Sequence, residues 1–137
     1  FQHFVYSNPD ATPAERKLKW RELEKKYMPH KDYEGNEFLE RGGYWFMQGH
    51  IFKMPFYYID YCLAQICALQ FWRKCNEDRD IAWKDYLDLC KAGGSKSFLE
   101  LVKTANIESP FDKNTIESIV NYADEWIENA NKGYDLA

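Results

Sequence analysis

The stretch GHIFKMPFYYIDYCLAQICALQFW, residues 49–72, decides the fold. It divides at Pro55. Before the proline, Gly49 and His50 read as a short loop; after it no glycine or proline occurs until Gly93. Proline suits the first turn of a helix, where its missing N–H has no intrahelical partner to lose. The spacing therefore predicts a helix over 55–74, with Ile59, Cys62, Leu63, Ile66, Cys67 and Phe71 along one face. Ala64, Ala68 and Leu69 widen that stripe, so burial over most of the helix circumference is expected.

Tyr57, Tyr58 and Tyr61 crowd the start of this expected helix, and Tyr58 and Tyr61 would share a face. His50 lies just upstream. Phenol hydroxyls and an imidazole pointing into one space can stabilise a developing oxyanion. The same residues also fit an aromatic-rich helix start in an aromatic-rich chain. Spacing leaves both readings standing.

The outward reading begins at the N-terminal side. Residues 1–6 read as the end of a helix, stopped by Pro9, because a residue before proline is pushed out of the helical region. Thr12, Pro13 and Glu15 form a capping-box start for a helix over 13–27, with Leu18, Trp20, Leu23 and Tyr27 toward a core. Arg16, Lys17, Lys19, Arg21, Lys25 and Lys26 interleave with Glu15, Glu22 and Glu24, which reads as a solvated mixed-charge face. Residues 30–36 form a polar loop turning at Gly35, with His30 solvated. Residues 37–48 are helix-compatible but interrupted at Gly42 and Gly43, a pair that fits a close backbone approach or a plain helix break.

Beyond the central helix, 76–79 reads as a polar turn and 80–91 as a helix carrying Ile81, Trp83, Leu87, Leu89 and Cys90, closed by Gly93. Ser97 and Glu100 cap a short helix. Asn114 and Glu117 open a last one, with Ile116, Ile119, Val120, Ala123 and Ile127 at helical steps and 131–137 as a frayed tail. No two-residue alternation is sustained. Five or six helices joined by short loops make an all-α fold.

Bulk composition sets the outer limits. At 137 residues the chain is one domain's worth, read as a single helical domain over 1–137 or part of a larger one. A net charge of −4 argues against nucleic-acid binding. No apolar run is long enough to span a bilayer. Cys62, Cys67, Cys75 and Cys90 include no C-x-x-C and read as buried free thiols of a reducing, cytoplasmic compartment. No secretory leader is visible, and Phe1 is not a natural start.

As a set, Gly-His-Ile-Phe-x-x-Pro-Phe-Tyr-Tyr-Ile-Asp-Tyr (49–61), Leu-Ala-Gln (63–65) and Gln-Phe-Trp (70–72) resemble the C-terminal part of oligoendopeptidase F. That is a branch of the thimet-oligopeptidase-like zinc metallopeptidases. FQHFVY (1–6), KWRELEKKY (19–27), Gly93-Gly94 before Ser97-Phe98, and Ser109-Pro110-Phe111 agree with it, so the similarity spans essentially the whole chain. The resemblance implies hydrolysis of short peptides. It implies Tyr58, Tyr61 and His50 as catalytic donors, with Tyr57 a competitor for one role, and Gly49, His50 and Tyr57 against substrate. Gly49 and His50 are placed in the family's glycine-containing mobile loop.

The family binds zinc through H-E-x-x-H and a downstream glutamate. Here His3, His30 and His50 are followed by Phe, Lys and Ile. Zinc is thus expected in a full-length enzyme and none on this chain, which by itself should not hydrolyse peptides. A missing N-terminal part of the same enzyme is the expected partner, with self-association through the aromatic face left exposed without it. Two rival classes stand beside this reading. One is a stand-alone helical interaction module. The other is a metal-free enzyme using His50 and a tyrosine as an acid–base pair.

Overall fold

The structure, a computed structural model, describes residues 1–134 of the 137, with side chains through residue 132. Every regular element among the described residues is helical. In order they are α1 (Gln2–Ser7), α2 (Pro13–Tyr27), α3 (Glu37–Glu40), a 3-10 helix (Gly43–Met47), α4 (Gly49–Lys53), α5 (Ile59–Glu77), α6 (Arg79–Ala92), α7 (Phe98–Thr104) and α8 (Lys113–Tyr134). The all-α class and the expected helices are present; α3 and the 3-10 helix divide the helix-compatible stretch 37–48 at its glycines, and α4 is a short addition. The chain forms two compact units, Phe1–Tyr58 and Ile59–Ala137.

The first unit is organised by α2. Its start is local chemistry: the Glu15 carboxylate accepts the Thr12 N–H at 2.7 Å, and Thr12 Oγ1 accepts the Glu15 N–H at 3.3 Å. Of the apolar stripe expected on its inward face, Trp20 and Leu23 are half-buried. Leu18 and Tyr27 are both 69% exposed, whereas Glu24, expected in solvent, is 3% exposed. Arg21 Nη1 and Lys31 Nζ each lie 3.1 Å from the Glu24 carboxylate, Trp20 Nε1 donates to it at 3.3 Å, and the Tyr33 hydroxyl donates to it as well. Arg21 Nη2 continues to Glu40 at 2.6 Å. Burial alone would raise the Glu24 carboxyl; the Tyr33 hydroxyl, Lys31 and Arg21 outweigh it and hold the group below the usual carboxylate range.

Gly42 then brings the chain against α2. It has φ +88°, and a Cβ there would stand 2.0 Å from the Lys17 carbonyl oxygen, so only glycine fits. Of the two readings of the Gly-Gly pair, close approach holds. The 3-10 helix that follows buries Trp45 against Phe1, Phe46 and Phe52, with ring centroids 4.3–5.2 Å apart.

In the second unit α5 packs on α6 and α8, and α6 on α7. The expected burial of α5 over most of its circumference is not found: Ile59 and Tyr61 are exposed, and Gln70 is its buried residue. Gln70 clasps the Glu108 backbone in both directions, at 3.1 and 2.8 Å. α5 also runs on through Glu77, leaving Asp78 to cap α6, where the polar turn over 76–79 was expected. The side chain of Asp78 accepts the Asp80 and Ile81 N–H groups, both at 3.0 Å.

On α6 the buried positions are Ala82 and Asp85, while Ile81, Trp83 and Leu87 face outward. Asp85 is held by Lys74 Nζ and by Asn106 Nδ2 at 2.8 Å. Glu100 caps α7 through the Ser97 N–H and hydroxyl as expected. Asp112 rather than Asn114 caps α8, accepting the Asn114 N–H at 2.8 Å. Of the stripe expected on α8, Ile119 is buried, whereas Ile116, Val120 and Ile127 are exposed. The tail expected over 131–137 is helical through Tyr134; residues 135–137 lie outside the described residues. The four thiols are free, but Cys62, Cys75 and Cys90 are exposed and Cys67 half-buried, so their expected burial is corrected. No helix among the described residues is long and apolar enough to cross a membrane.

Glu24→Ala is expected to lower the unfolding free energy by about 3 kcal/mol, since it leaves Arg21 and Lys31 without their shared counter-charge. Urea denaturation at neutral pH measures this. The depressed carboxyl of Glu24 gives stability that is present above the ordinary carboxylate pKa and lost as pH falls through the folded value. The acid limb of the stability profile should therefore be shallower in the variant than in the parent chain.

Candidate functional site

The residues singled out in the sequence lie in α4, in α5 and in the turn between them. Gly49 and His50 open α4 rather than lying in a loop. Pro55 does not start the long helix. It occupies a turn in which the Tyr57 N–H donates to the Met54 carbonyl at 3.3 Å, and the residue after it, Phe56, has φ +60°. Proline followed by a left-handed residue is the arrangement of a type II turn, usually completed by glycine. Tyr57 and Tyr58 belong to this turn, and Tyr61 is the third residue of α5. The shared helical face expected for Tyr58 and Tyr61 therefore does not exist, because Tyr58 precedes the helix.

Tertiary contact nevertheless gathers His50, Tyr57 and Tyr58 within the first unit. The imidazole of His50 lies near-parallel to the Tyr57 ring, 11° between planes and 5.4 Å between centroids. The Tyr58 ring is tilted against it at 4.3 Å. His50 Nδ1 is buried with no hydrogen-bond partner, a group with unused hydrogen-bonding capacity beside two phenols. The Tyr58 hydroxyl donates to Gln48 Oε1 at 3.0 Å. Gln48, the residue that precedes α4, was not legible as a site residue; nothing local marks it. Gly49 has open space where a Cβ would stand, so no steric demand fixes glycine there. Tyr61 lies in the second unit, 57% exposed.

His3 and His30 sit elsewhere, His3 on α1 with its ring 4.9 Å from Phe56 and His30 exposed in the loop after α2. Among the described residues no group of three or more His, Cys, Asp and Glu could hold a metal ion. A hollow of about 850 Å³ between α1 and α2, lined by Phe4, Asn8, Leu18 and Lys19, takes in none of the expected site residues. Neither does an apolar groove of about 460 Å³ on the second unit, lined by Cys67, Phe71, Tyr86, Phe98 and Ile107.

The model of peptidase family M3 matches residues 1–121. The chain belongs to peptidase family M3. Among solved structures, this M3 chain is similar to PZ peptidase A with inhibitor 2, at 58% identity and a TM-score of 0.86, over 93% of this chain and 23% of that one. A protein provisionally named oligoendopeptidase F matches at 56% identity and a TM-score of 0.85, over 93% and 22%. A further one so named, from Bacillus anthracis str. Ames, matches at 47% identity and a TM-score of 0.70, over 93% and 19%. The M3 chain thus spans about a fifth of the length of the solved structures it matches. Comparison with curated proteins gives no match. The resemblance to oligoendopeptidase F, carried in the sequence by 49–72 and its flanks, is upheld.

The two tyrosine rings against His50 make a spectroscopic prediction. The carbon-bound ring protons of His50 should resonate upfield of those of His30, and Tyr57→Ala should move them back toward the solvated position. Proton NMR of the folded chain reads this directly. Unchanged His50 shifts in the variant would contradict the stacked geometry.

Proposed function

We propose that this M3 chain supplies part of the substrate-binding and oxyanion-stabilising wall of a zinc-dependent oligoendopeptidase that hydrolyses short peptides. The observation that carries this reading is the packing of His50, with its buried and unpartnered Nδ1, against Tyr57 and Tyr58 in a chain of that family. When the scissile carbonyl is attacked its oxygen gains negative charge, and donors aimed at that oxygen stabilise the transition state more than the substrate. The Tyr58 hydroxyl, released from Gln48, is one donor. Tyr61 is the second, a role that rests on the resemblance alone. His50 binds the substrate backbone or the oxyanion, and Tyr57 and Gly49 lie against the peptide.

The zinc implied by the family belongs to residues other than these, in the remainder of a full-length enzyme, and the 137-residue chain by itself is inactive. The wide apolar exposure of both units, Leu18, Phe52 and Met54 in the first and Ile81, Trp83 and Ile127 in the second, supports a covering partner. In this reading that partner is the remainder of the same enzyme, and the free thiols fit a cytoplasmic setting.

Tyr58→Phe and Tyr61→Phe in the full-length enzyme test the assignment. Each should lower kcat by about 10²–10³ with little change in KM, the signature of a donor used in the transition state. A loss of less than about tenfold for either would remove that residue from the site. The isolated chain should self-associate through its exposed apolar faces; a strictly monomeric species in light scattering at high concentration would count against the covering partner.

A further inference from the structure

The turn that carries Tyr57 and Tyr58 contains a conformation its sequence does not favour. Phe56 has φ +60°, and the left-handed region is costly for a bulky side chain with a Cβ. A strained residue persists where its surroundings over-determine it. Here those surroundings come from α1, more than fifty residues away in sequence. Gln2 Oε1 accepts the Phe56 N–H at 2.6 Å. The His3 ring lies 4.9 Å from the Phe56 ring and the Tyr6 ring 5.5 Å from it. One turn of α1 thus grips Phe56 by its backbone and by its ring. The two residues that follow place their rings on His50.

We propose that Gln2 is a positioning residue: by accepting the Phe56 N–H it holds the left-handed turn that sets Tyr57 and Tyr58 against His50. It touches no reacting atom. The proposal rests on the oxyanion-wall reading above and adds to it the device that fixes the geometry. A left-handed Phe56 turns its N–H away from the helical direction, so the amide needs an acceptor from outside its own segment. Among side chains of similar reach, glutamine and glutamate provide one; alanine and leucine do not. Without that acceptor the turn relaxes toward φ < 0 and the following tyrosines rotate with it. A displacement of about 1 Å at a catalytic group is enough to cost up to about 10²-fold in rate.

The test uses the full-length peptidase and a short peptide substrate, with Gln2→Ala, Gln2→Glu and each of these combined with Phe56→Gly. Gln2→Ala should lower kcat about tenfold with KM within about twofold, as for loss of one positioned transition-state contact. Gln2→Glu, which keeps an acceptor at the same reach, should retain most of the activity. Glycine adopts positive φ at no steric cost, so in the Phe56→Gly background Gln2→Ala should cost less than about twofold. A purely structural role for Gln2 would give equal losses in both backgrounds and overturns the proposal.

Amide exchange at Phe56, followed by NMR on the 137-residue chain, supplies a readout independent of activity. The amide should be protected in the parent and exposed in Gln2→Ala, and equal exchange in the two also overturns the proposal. If Tyr58→Phe and Tyr61→Phe abolish activity while Gln2→Ala leaves it intact, the oxyanion-wall reading stands and the role of Gln2 falls. If both tyrosine variants stay active, that reading fails and the positioning role falls with it.

Discussion

A buried carboxylate that must be neutralised is the constraint on which the first unit depends. Removing Glu24 from water costs several kcal/mol, so Arg21, Lys31, Tyr33 and Trp20 are all drawn to it. That requirement folds the loop after α2 back onto the helix and, through Arg21 and Glu40, fastens α3 beside it. The second unit repeats the arrangement around Asp85, where Lys74 on α5, α6 itself and Asn106 after α7 meet. Among the described residues the buried apolar side chains are few and mostly small: Ala82, Val102, Ala105, Pro110 and Ile119 in the second unit and Trp45 in the first. Apolar burial at this scale specifies geometry loosely. Directional partners of a buried charge specify it closely, because a misplaced partner leaves the charge uncompensated.

From that anchor the constraint passes along the chain to the site. With α3 fixed, Gly42 is pressed onto the Lys17 carbonyl, where no side chain fits. The 3-10 helix that leaves Gly42 lays Trp45 on Phe1 and Phe52, and the next residues are Gln48, Gly49 and His50. Phe1 and Gln2 adjoin, so one short helix supports both sides of the candidate site: Phe1 by packing on Trp45, Gln2 by holding Phe56. Each link is a close contact with few alternatives, which is why a site built from short turns keeps a defined shape.

What the sequence made legible was local. The capping boxes at Thr12 and Ser97, and the stop at Gly93, depend on residues within four positions of one another, and the structure has all three. α2 follows its expected bounds for the same reason. The misreadings share the opposite cause. Glu24 sits in a run of alternating charges and looks solvated; its burial is decided by Lys31 and Tyr33, which no periodicity connects to it. Pro55 is equally at home at the first position of a helix and the second of a turn, and a glycine after it would have marked the turn. Phe56 in that place hides the signal, since its left-handed conformation is imposed by Gln2, His3 and Tyr6. The apolar stripes of α5, α6 and α8 were real in period but not in burial: Ala82 and Ile119 lie inward, while Ile59, Ile81 and Val120 lie outward.

The placement of Tyr57 and Tyr58 in a turn changes what kind of candidate site this is. Had Tyr58 and Tyr61 shared a helical face, their separation would have been set by the backbone repeat and almost any sequence upstream would have preserved it. In a turn, the orientation of Tyr57 and Tyr58 is set by contacts from α1 and α4. Hydrogen bonds from the Phe56 N–H to Gln2 and from the Tyr58 hydroxyl to Gln48 stand where the helix ladder would have been. Such an arrangement gives up some intrinsic stability but lets a hydroxyl exchange one acceptor for another. In the role proposed for it, the Tyr58 hydroxyl would exchange its hydrogen bond to Gln48 for one to a developing anion. A charge-assisted bond is roughly twice as strong as the neutral one it replaces, so in that proposed role the gain would appear when the charge does, in the transition state rather than on binding.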